Sequence, residues 1–314
     1  MAHLKCEKTA KRVGIVGYGH LGKFLVNEIL VNGEKYGIEL AFVWNRGKDV
    51  FDQFEHKSLI LDNLCDFAEF KPNLIVEVAH PEITKKYGPQ FIEYCDYMIG
   101  SPSALADEEL EAMLRHSSTV NGLFIPKGAL WGSQDIRSLS RRGQLHALHI
   151  EMHFHPHSLR LNEPLYSLNA AVTNTAVTLF EGNFYRNKLF CFYILGPVRN
   201  VCKLAPNNVN TMACAAIAAE NLGFDRVIGT LVSDPTLVNY HKIRLQVLGM
   251  KREDGTQFKV TTERQSPAFP GCVTSSATYN SFFESAIWLI KQRKRTFTLK
   301  LKTHKPKVAC LQEK

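Results

Sequence analysis

The chain has 314 residues, 45% hydrophobic and 22% charged, the composition of a globular protein large enough for two domains. Its formal charge of +8 invites a nucleic-acid reading, but eight Lys and Arg lie between Lys291 and Lys307 with no acidic residue among them, so the rest of the chain is near neutral. The basicity belongs to a tail, 291–314, and the apolar runs are of strand length, well short of the roughly 20 residues a membrane span needs.

The first elements repeat a strand–helix rhythm. Arg12–Val16 is a short apolar run suited to a buried parallel strand, followed at once by Gly17-Tyr18-Gly19-His20-Leu21-Gly22. Leu21, Phe24, Leu25, Ile29 and Leu30 then recur at helical spacing up to Asn32-Gly33. Further strands are expected at Leu40–Trp44, Leu74–Ala79, Tyr97–Gly100 and Val120–Ile125, with helices at Thr84–Tyr94 and Asp107–His116 between them. Alternation of this kind implies right-handed crossovers and a parallel sheet.

After Arg141-Arg142-Gly143 the pattern changes to strand-like segments, for example His149–His155, Val177–Phe180 and Leu189–Ile194, continuing to about Val201. An alanine-rich helix is expected over Asn207–Leu222, then strands at Val227–Val232, His241–Leu248 and Phe258–Thr262, and a helix over Val273–Ile290. The expected fold class is α/β: an N-terminal Rossmann-type doubly wound parallel sheet (1–142), with the 273–290 helix packed back on it. A second, α+β mixed-sheet domain (143–272) would serve substrate binding and dimerisation, and the basic tail (291–314) follows.

The glycine spacing has a mechanism in this context. Gly17 would allow the tight turn, Gly19 the approach of a pyrophosphate to the backbone, and Gly22 a close helix contact, with the helix N-terminus offering free N–H groups to the phosphates. The expected cofactor is NADP or NAD. Asn45-Arg46 closes the second strand, 23 positions past Gly22, where an NAD-selective site carries Asp or Glu. Arg46 suits a 2′-phosphate, so NADP is expected to be accepted at least as well as NAD. Ala79, His80 and Ser101 fall at carboxyl ends of strands and are expected to line the cofactor cleft with His20 and Leu21.

The runs Val13–Gly22, Val76–Pro81, Gly100–Leu105, Gly128–Gly132, Pro206–Ala213 and Leu222–Asp225 together resemble the L-aspartate dehydrogenase family, in particular animal proteins carrying that domain. The resemblance covers about 12 to 290. It implies NAD(P)-dependent oxidation of the amine of L-aspartate to iminoaspartate, which water converts to oxaloacetate and ammonia. It implies His241, in Asn239-Tyr240-His241, as the active-site histidine, and Ala129 and Asn210 as cofactor contacts. Histidine titrates near neutral pH and so suits proton transfer beside a departing hydride. Asn207 and Asn208, with Asn239, are expected on the substrate. The cation for its second carboxylate is not singled out; Lys127 and Arg160 are candidates.

Other readings carry less. His146, His149, His153, His155 and His157 are dense enough to suggest zinc, but Pro156 interrupts the strand that would align them, and no metal is expected. No Gly-x-Ser-x-Gly supports a hydrolase. The eight scattered cysteines suit a reducing, cytoplasmic setting, and no secretory leader is evident in Met1–Arg12. The expected partners are a small amino-acid substrate and a second copy in a homodimer, with no specific nucleic acid and no membrane. The rival readings are a non-catalytic NADP-binding sensor and a dehydrogenase or imine reductase for another small acid.

Overall fold

A computed structural model describes residues 10–118, 120–181, 194–291 and 299–300. The first sheet is built from β1 (Lys11–Val16), β2 (Ile38–Trp44), β3 (Leu74–Glu77), β4 (Asp96–Ile99) and β5 (Leu123–Ile125), all parallel. Their order is β5-β4-β3-β1-β2, so the chain steps outward in opposite directions from β1 and β3. That reversal opens a crevice at the carboxyl ends of β1 and β3, the place where such sheets bind ligands. The connections run through α1 (His20–Tyr36), α2 (Pro81–Tyr94) and α3 (Glu108–Ser117). Both polar starts are capped: His80 Nδ1 accepts the Glu82 amide at 3.2 Å with Pro81 in the first turn, and the Asp107 carboxylate accepts the Leu110 amide at 3.2 Å.

Beyond α4 (Ser133–Arg141) the second sheet begins with β6 (Leu145–Phe154) and α5 (Leu165–Ala170), followed by β7 (Val177–Glu181) and β8 (Ile194–Leu195). Then come α6 (Val198–Leu204), α7 (Asn210–Ala218), α8 (Gly223–Arg226), β9 (Ile228–Ser233), β10 (Tyr240–Lys251) and β11 (Gln257–Pro267). The order β11-β10-β6-β9-β7-β8 is mixed, with β6/β9 and β7/β8 parallel and the other pairs antiparallel. Finally α9 (Ser276–Lys291) returns to pack on α1, and β12 (Leu299–Lys300) pairs antiparallel with β5. The fold is thus α/β, a Rossmann-type sheet joined to a second mixed sheet. Among the described residues no helix is long and apolar enough to cross a membrane.

Several sequence expectations are corrected. The single helix expected over Asn207–Leu222 is instead α7 alone, preceded by a turn and followed by the short α8. Alanine favours a helix throughout that stretch, but the asparagines at its start bond to distant backbone and the amides of Leu222 and Gly223 both close onto the Ala219 carbonyl. The strand-like stretch reaching Val201 ends in α6, because Val198, Val201 and Cys202 are buried at helical spacing. Leu299–Lys300, assigned to the basic tail, forms an edge strand; the rest of 292–314 and most of the 189–194 run lie outside the described residues.

The two sheets share one contiguous core, running from Phe42, Tyr97 and Leu105 through Met212, Ala213 and Ala215 of α7 to Ile150 and Phe180. Residues Thr211–Ala218 are all buried, so α7 is apolar all round rather than striped. Small side chains are what allow it to sit between both units. Ala215→Leu is therefore expected to lower stability by about 1–3 kcal/mol through overpacking; an unchanged midpoint in urea unfolding would show that the helix has room it is not described as having.

Candidate active site

The glycine turn leaves β1 at the crevice. Gly17 has φ +116°, and a side-chain carbon there would lie 2.8 Å from the Val78 carbonyl; one at Gly22 would lie 1.9 Å from the Gly17 carbonyl oxygen. Gly22 therefore permits the first helical turn to close on the glycine loop itself. At Gly19 nothing lies within 4 Å of that position, so the backbone is open to a ligand. The α1 start has neither a side-chain cap nor an acidic residue in its first turn, leaving its N–H groups and dipole end for an anion. These features fit a dinucleotide diphosphate.

Two adjoining pockets run from this turn toward the second sheet. The outer, about 380 Å³, is lined by Gly19, His20, Leu21, Ala79, Ser101, Arg160, Asn207 and Asn210. The inner, about 90 Å³, shares Leu21, Gly100, Asn207 and Asn210 with it and adds Ala129, Asn208, Cys214 and His241. At the far edge of the turn, the Asn45 side chain accepts the Tyr18 amide at 3.0 Å and donates to the Gly47 carbonyl at 2.9 Å, so it braces the loop. Arg46 is exposed and pairs with no carboxylate among the described residues, and its charge helps hold the half-buried His80 ring below its ordinary pKa, after burial itself.

His241 lies on β10 opposite Ser266 of β11 and edge-on to Phe154, with ring centroids 4.6 Å apart. It is 5% exposed. Burial pushes the ring pKa down from 6.5 to about 4, partly offset by a hydrogen bond to the Cys272 backbone. Nε2 is buried and has no hydrogen-bond partner among the described residues.

The asparagines divide. Asn210 half-buries between the units: its Oδ1 accepts the Ser103 amide at 3.3 Å, while the Ser103 hydroxyl donates to the Pro206 carbonyl at 2.6 Å. Asn208 is fully engaged, donating to the Ser158 carbonyl at 2.9 Å and accepting the Arg160 amide at 2.7 Å. Asn239 is not brought to the cleft. It precedes the β10 ladder, is exposed, and its carbonyl accepts the Ala268 amide. Lys127 is likewise exposed and lines neither pocket. The histidine cluster disperses: His149 meets Thr230, His153 meets Glu151, and His155 stacks edge-on to His157 beyond the strand end. No group of three metal-ligating side chains occurs among the described residues. Cys214 faces the inner pocket with its Sγ 3.5 Å from the Pro126 carbonyl, and burial pushes its thiol up to about 12.

Sequence reasoning missed Glu77. It is wholly buried at the end of β3, where Oε1 accepts the Ala79 amide at 2.7 Å, the His80 amide at 2.9 Å and the Ser101 hydroxyl at 3.1 Å; Oε2 accepts the Ser101 amide at 3.0 Å. A lone acid closing the apolar run Leu74-Ile75-Val76 was the available signal. A second missed element is the 269–275 loop, whose Cys272 carbonyl holds His241 and whose Val273 and Thr274 line both pockets.

Residues 135–285 match the family model described as the C-terminal part of aspartate dehydrogenase, and residues 17–125 that of the NAD binding domain of homoserine dehydrogenase. An aspartate dehydrogenase domain-containing protein of Xenopus tropicalis is 44% identical over 284 residues, 90% of this chain and 95% of its own. An L-aspartate dehydrogenase of Methanocaldococcus jannaschii is 26% identical over 238 residues, 74% of this chain and 82% of its own. The crystal structure of aspartate dehydrogenase from Thermotoga maritima shares the fold, with a TM-score of 0.57 at 21% identity, covering 91% of this chain and 99% of that one. A glycine turn at the switch point of a parallel sheet, opening on a cleft closed by a second sheet, thus defines an NAD(P)-dependent oxidoreductase. The chain belongs to the aspartate dehydrogenase family.

Burial raises the Glu77 pKa from 4.5 to about 7, against the lowering effect of its four donors. With the folded value above the unfolded one, the stability tied to its neutral form is fully present below pH 4.5 and is lost as pH rises to about 7. Glu77→Gln faces an amide N–H toward the Ser101 donor, and is expected to cost about 2 kcal/mol or more at pH 5 while raising the KM for cofactor. Melting temperatures across pH 4.5–7 check this: the gap between wild type and variant should narrow as pH rises.

Proposed function

We propose that this protein oxidises the Cα–N bond of L-aspartate with NADP or NAD. The observation that carries the reading is the buried Nε2 of His241, without a partner among the described residues, in a pocket continuous with an open glycine turn. A nicotinamide cofactor held by these residues would supply the acceptor for the hydride on Cα. Before the hydride can leave, the substrate ammonium must lose a proton so that the nitrogen lone pair can form the C=N bond, and Nε2 is the group that takes it. The carboxylates of a bound substrate raise its affinity for the proton. Water then adds to the imine, giving oxaloacetate and ammonia.

In this reading Gly17, Gly19, His20, Leu21 and Gly22 hold the diphosphate, Ala79, His80 and Ser101 border the ribose, and Ala129 and Asn210 the nicotinamide. Asn207 faces the substrate. Asn208 acts through the segment it braces, and Asn239 has no part. The free thiols Cys95, Cys202 and Cys214 support a reducing, cytoplasmic setting. Exposed Met250, Phe258 and Val260 on β10 and β11 support a homodimer.

His241→Ala is expected to lower kcat with L-aspartate at least about 100-fold with cofactor affinity retained. Absorbance at 340 nm with a panel of L-amino acids reads this out, and aspartate-dependent reduction that survives in the variant would remove His241 from the reaction. The exposed Arg46, which pairs with no carboxylate among the described residues, beside a committed Asn45 supports NADP as at least an equal of NAD. Arg46→Ala should lower kcat/KM for NADP by about 10-fold, the worth of one charge-assisted contact, and leave NAD nearly unchanged. Equal loss with both cofactors would remove Arg46 from the 2′-phosphate.

A further inference from the structure

Among the residues lining the two pockets, Arg160 is the only Lys or Arg, and no Asp or Glu lines either. Its guanidinium meets carbonyls alone. Nη1 donates to the His157 and Leu159 carbonyls at 2.8 and 3.2 Å, and Nη2 donates to the Gly271 carbonyl at 3.4 Å. No carboxylate pairs with it among the described residues. Nη1 and Nη2 thus spend hydrogens on the backbone, while Nε–H, which shares the side-on edge with Nη2, has no partner among the described residues. That edge is the fork that grips a carboxylate or phosphate with two parallel bonds.

The presentation of this side chain is built from several directions. Asn208, 4% exposed, holds the Ser158 carbonyl and the Arg160 amide, and the Ser158 hydroxyl accepts the Gly271 amide at 3.1 Å. Gly271, which braces the guanidinium, is followed directly by Cys272, which orients His241. One loop therefore sets the separation of the cation from the base. Arg160 lines only the outer pocket and His241 only the inner one, so a substrate whose amine sits at Nε2 offers Arg160 the end farthest from the reacting carbon.

We propose that Arg160 binds the side-chain carboxylate of a dicarboxylic amino acid, and is the residue that selects such substrates over monocarboxylic ones. This rests on the reading of the cleft as an amino-acid oxidising site. The same fork could otherwise serve the cofactor diphosphate, which the glycine turn faces across the outer pocket, and the test separates the two anions.

Succinate, an inert four-carbon dicarboxylate, is titrated by calorimetry into wild-type protein loaded with NADP, into R160K and into R160Q, with NADP affinity and melting temperature measured on each. Succinate affinity should fall about 10- to 100-fold in R160Q, the range of a lost charged fork, and less in R160K. NADP affinity and melting should hold, and in turnover the preference for aspartate over alanine should fall by a similar factor through KM. Undetectable succinate binding by the wild type, or unchanged affinity in R160Q, would overturn the proposal. So would a matching loss of NADP affinity, which assigns the fork to the diphosphate. Arg160-dependent succinate binding without aspartate oxidation leaves the anion site standing and removes the oxidation. Aspartate oxidation with an unchanged KM in R160Q does the reverse.

Discussion

The floor of the cleft hangs on one carboxylate. Glu77 gathers three backbone amides and a hydroxyl from the ends of two neighbouring parallel strands, with no cationic side chain paired to it among the described residues. Strand ends in a parallel sheet otherwise leave such amides without partners, because the ladder has finished and the helix has not begun. Meeting them with a single buried acceptor sets the Ala79–His80 and Gly100–Ser101 turns at fixed heights. The glycine turn packs directly on this platform, since the Gly17 position lies against Val78 and Ala79. Moving the carboxylate would move all three segments.

The opposite wall is held just as tightly. An alanine-rich helix buried from Thr211 to Ala218 leaves little room for a hinge between the sheets, and Ser103, Asn210 and Pro206 stitch the units at its start. Arg137 and Arg141 with Glu220, and Arg199 with Asp225 and Glu108, add ion pairs around the rim. Exposed pairs of this kind contribute little individually, so the shared apolar core must carry the alignment. A rigid frame suits a hydride transfer, which depends on the distance between two carbons.

What the sequence made legible was mostly local. The glycine turn could be read because each glycine answers a contact within a few residues or at the next strand, and the parallel sheet because strands and helices alternate. The family resemblance pointed to His241, but its burial against Phe154 and its nearness to the Cys272 backbone, 31 positions on, were not legible. Asn208 and Asn239 looked alike as polar residues near motifs. Only the fold separates a side chain saturated by Ser158 and Arg160 from one left at a strand entrance. The alanine run misled because helix propensity says nothing about where asparagine side chains will find distant partners.

Cys214 has a chemical consequence of its own. An oxidised nicotinamide ring is an electrophile, and thiolates add to it, so sulfur in a pocket beside that ring would be a hazard if it ionised. Here the sulfur is sealed in apolar surroundings that push its pKa to about 12, and its hydrogen is directed at a carbonyl. At any physiological pH it stays a thiol, so a nicotinamide ring bound in that pocket would meet no competing thiolate. The pocket thereby gains a polarisable wall without acquiring a competing nucleophile.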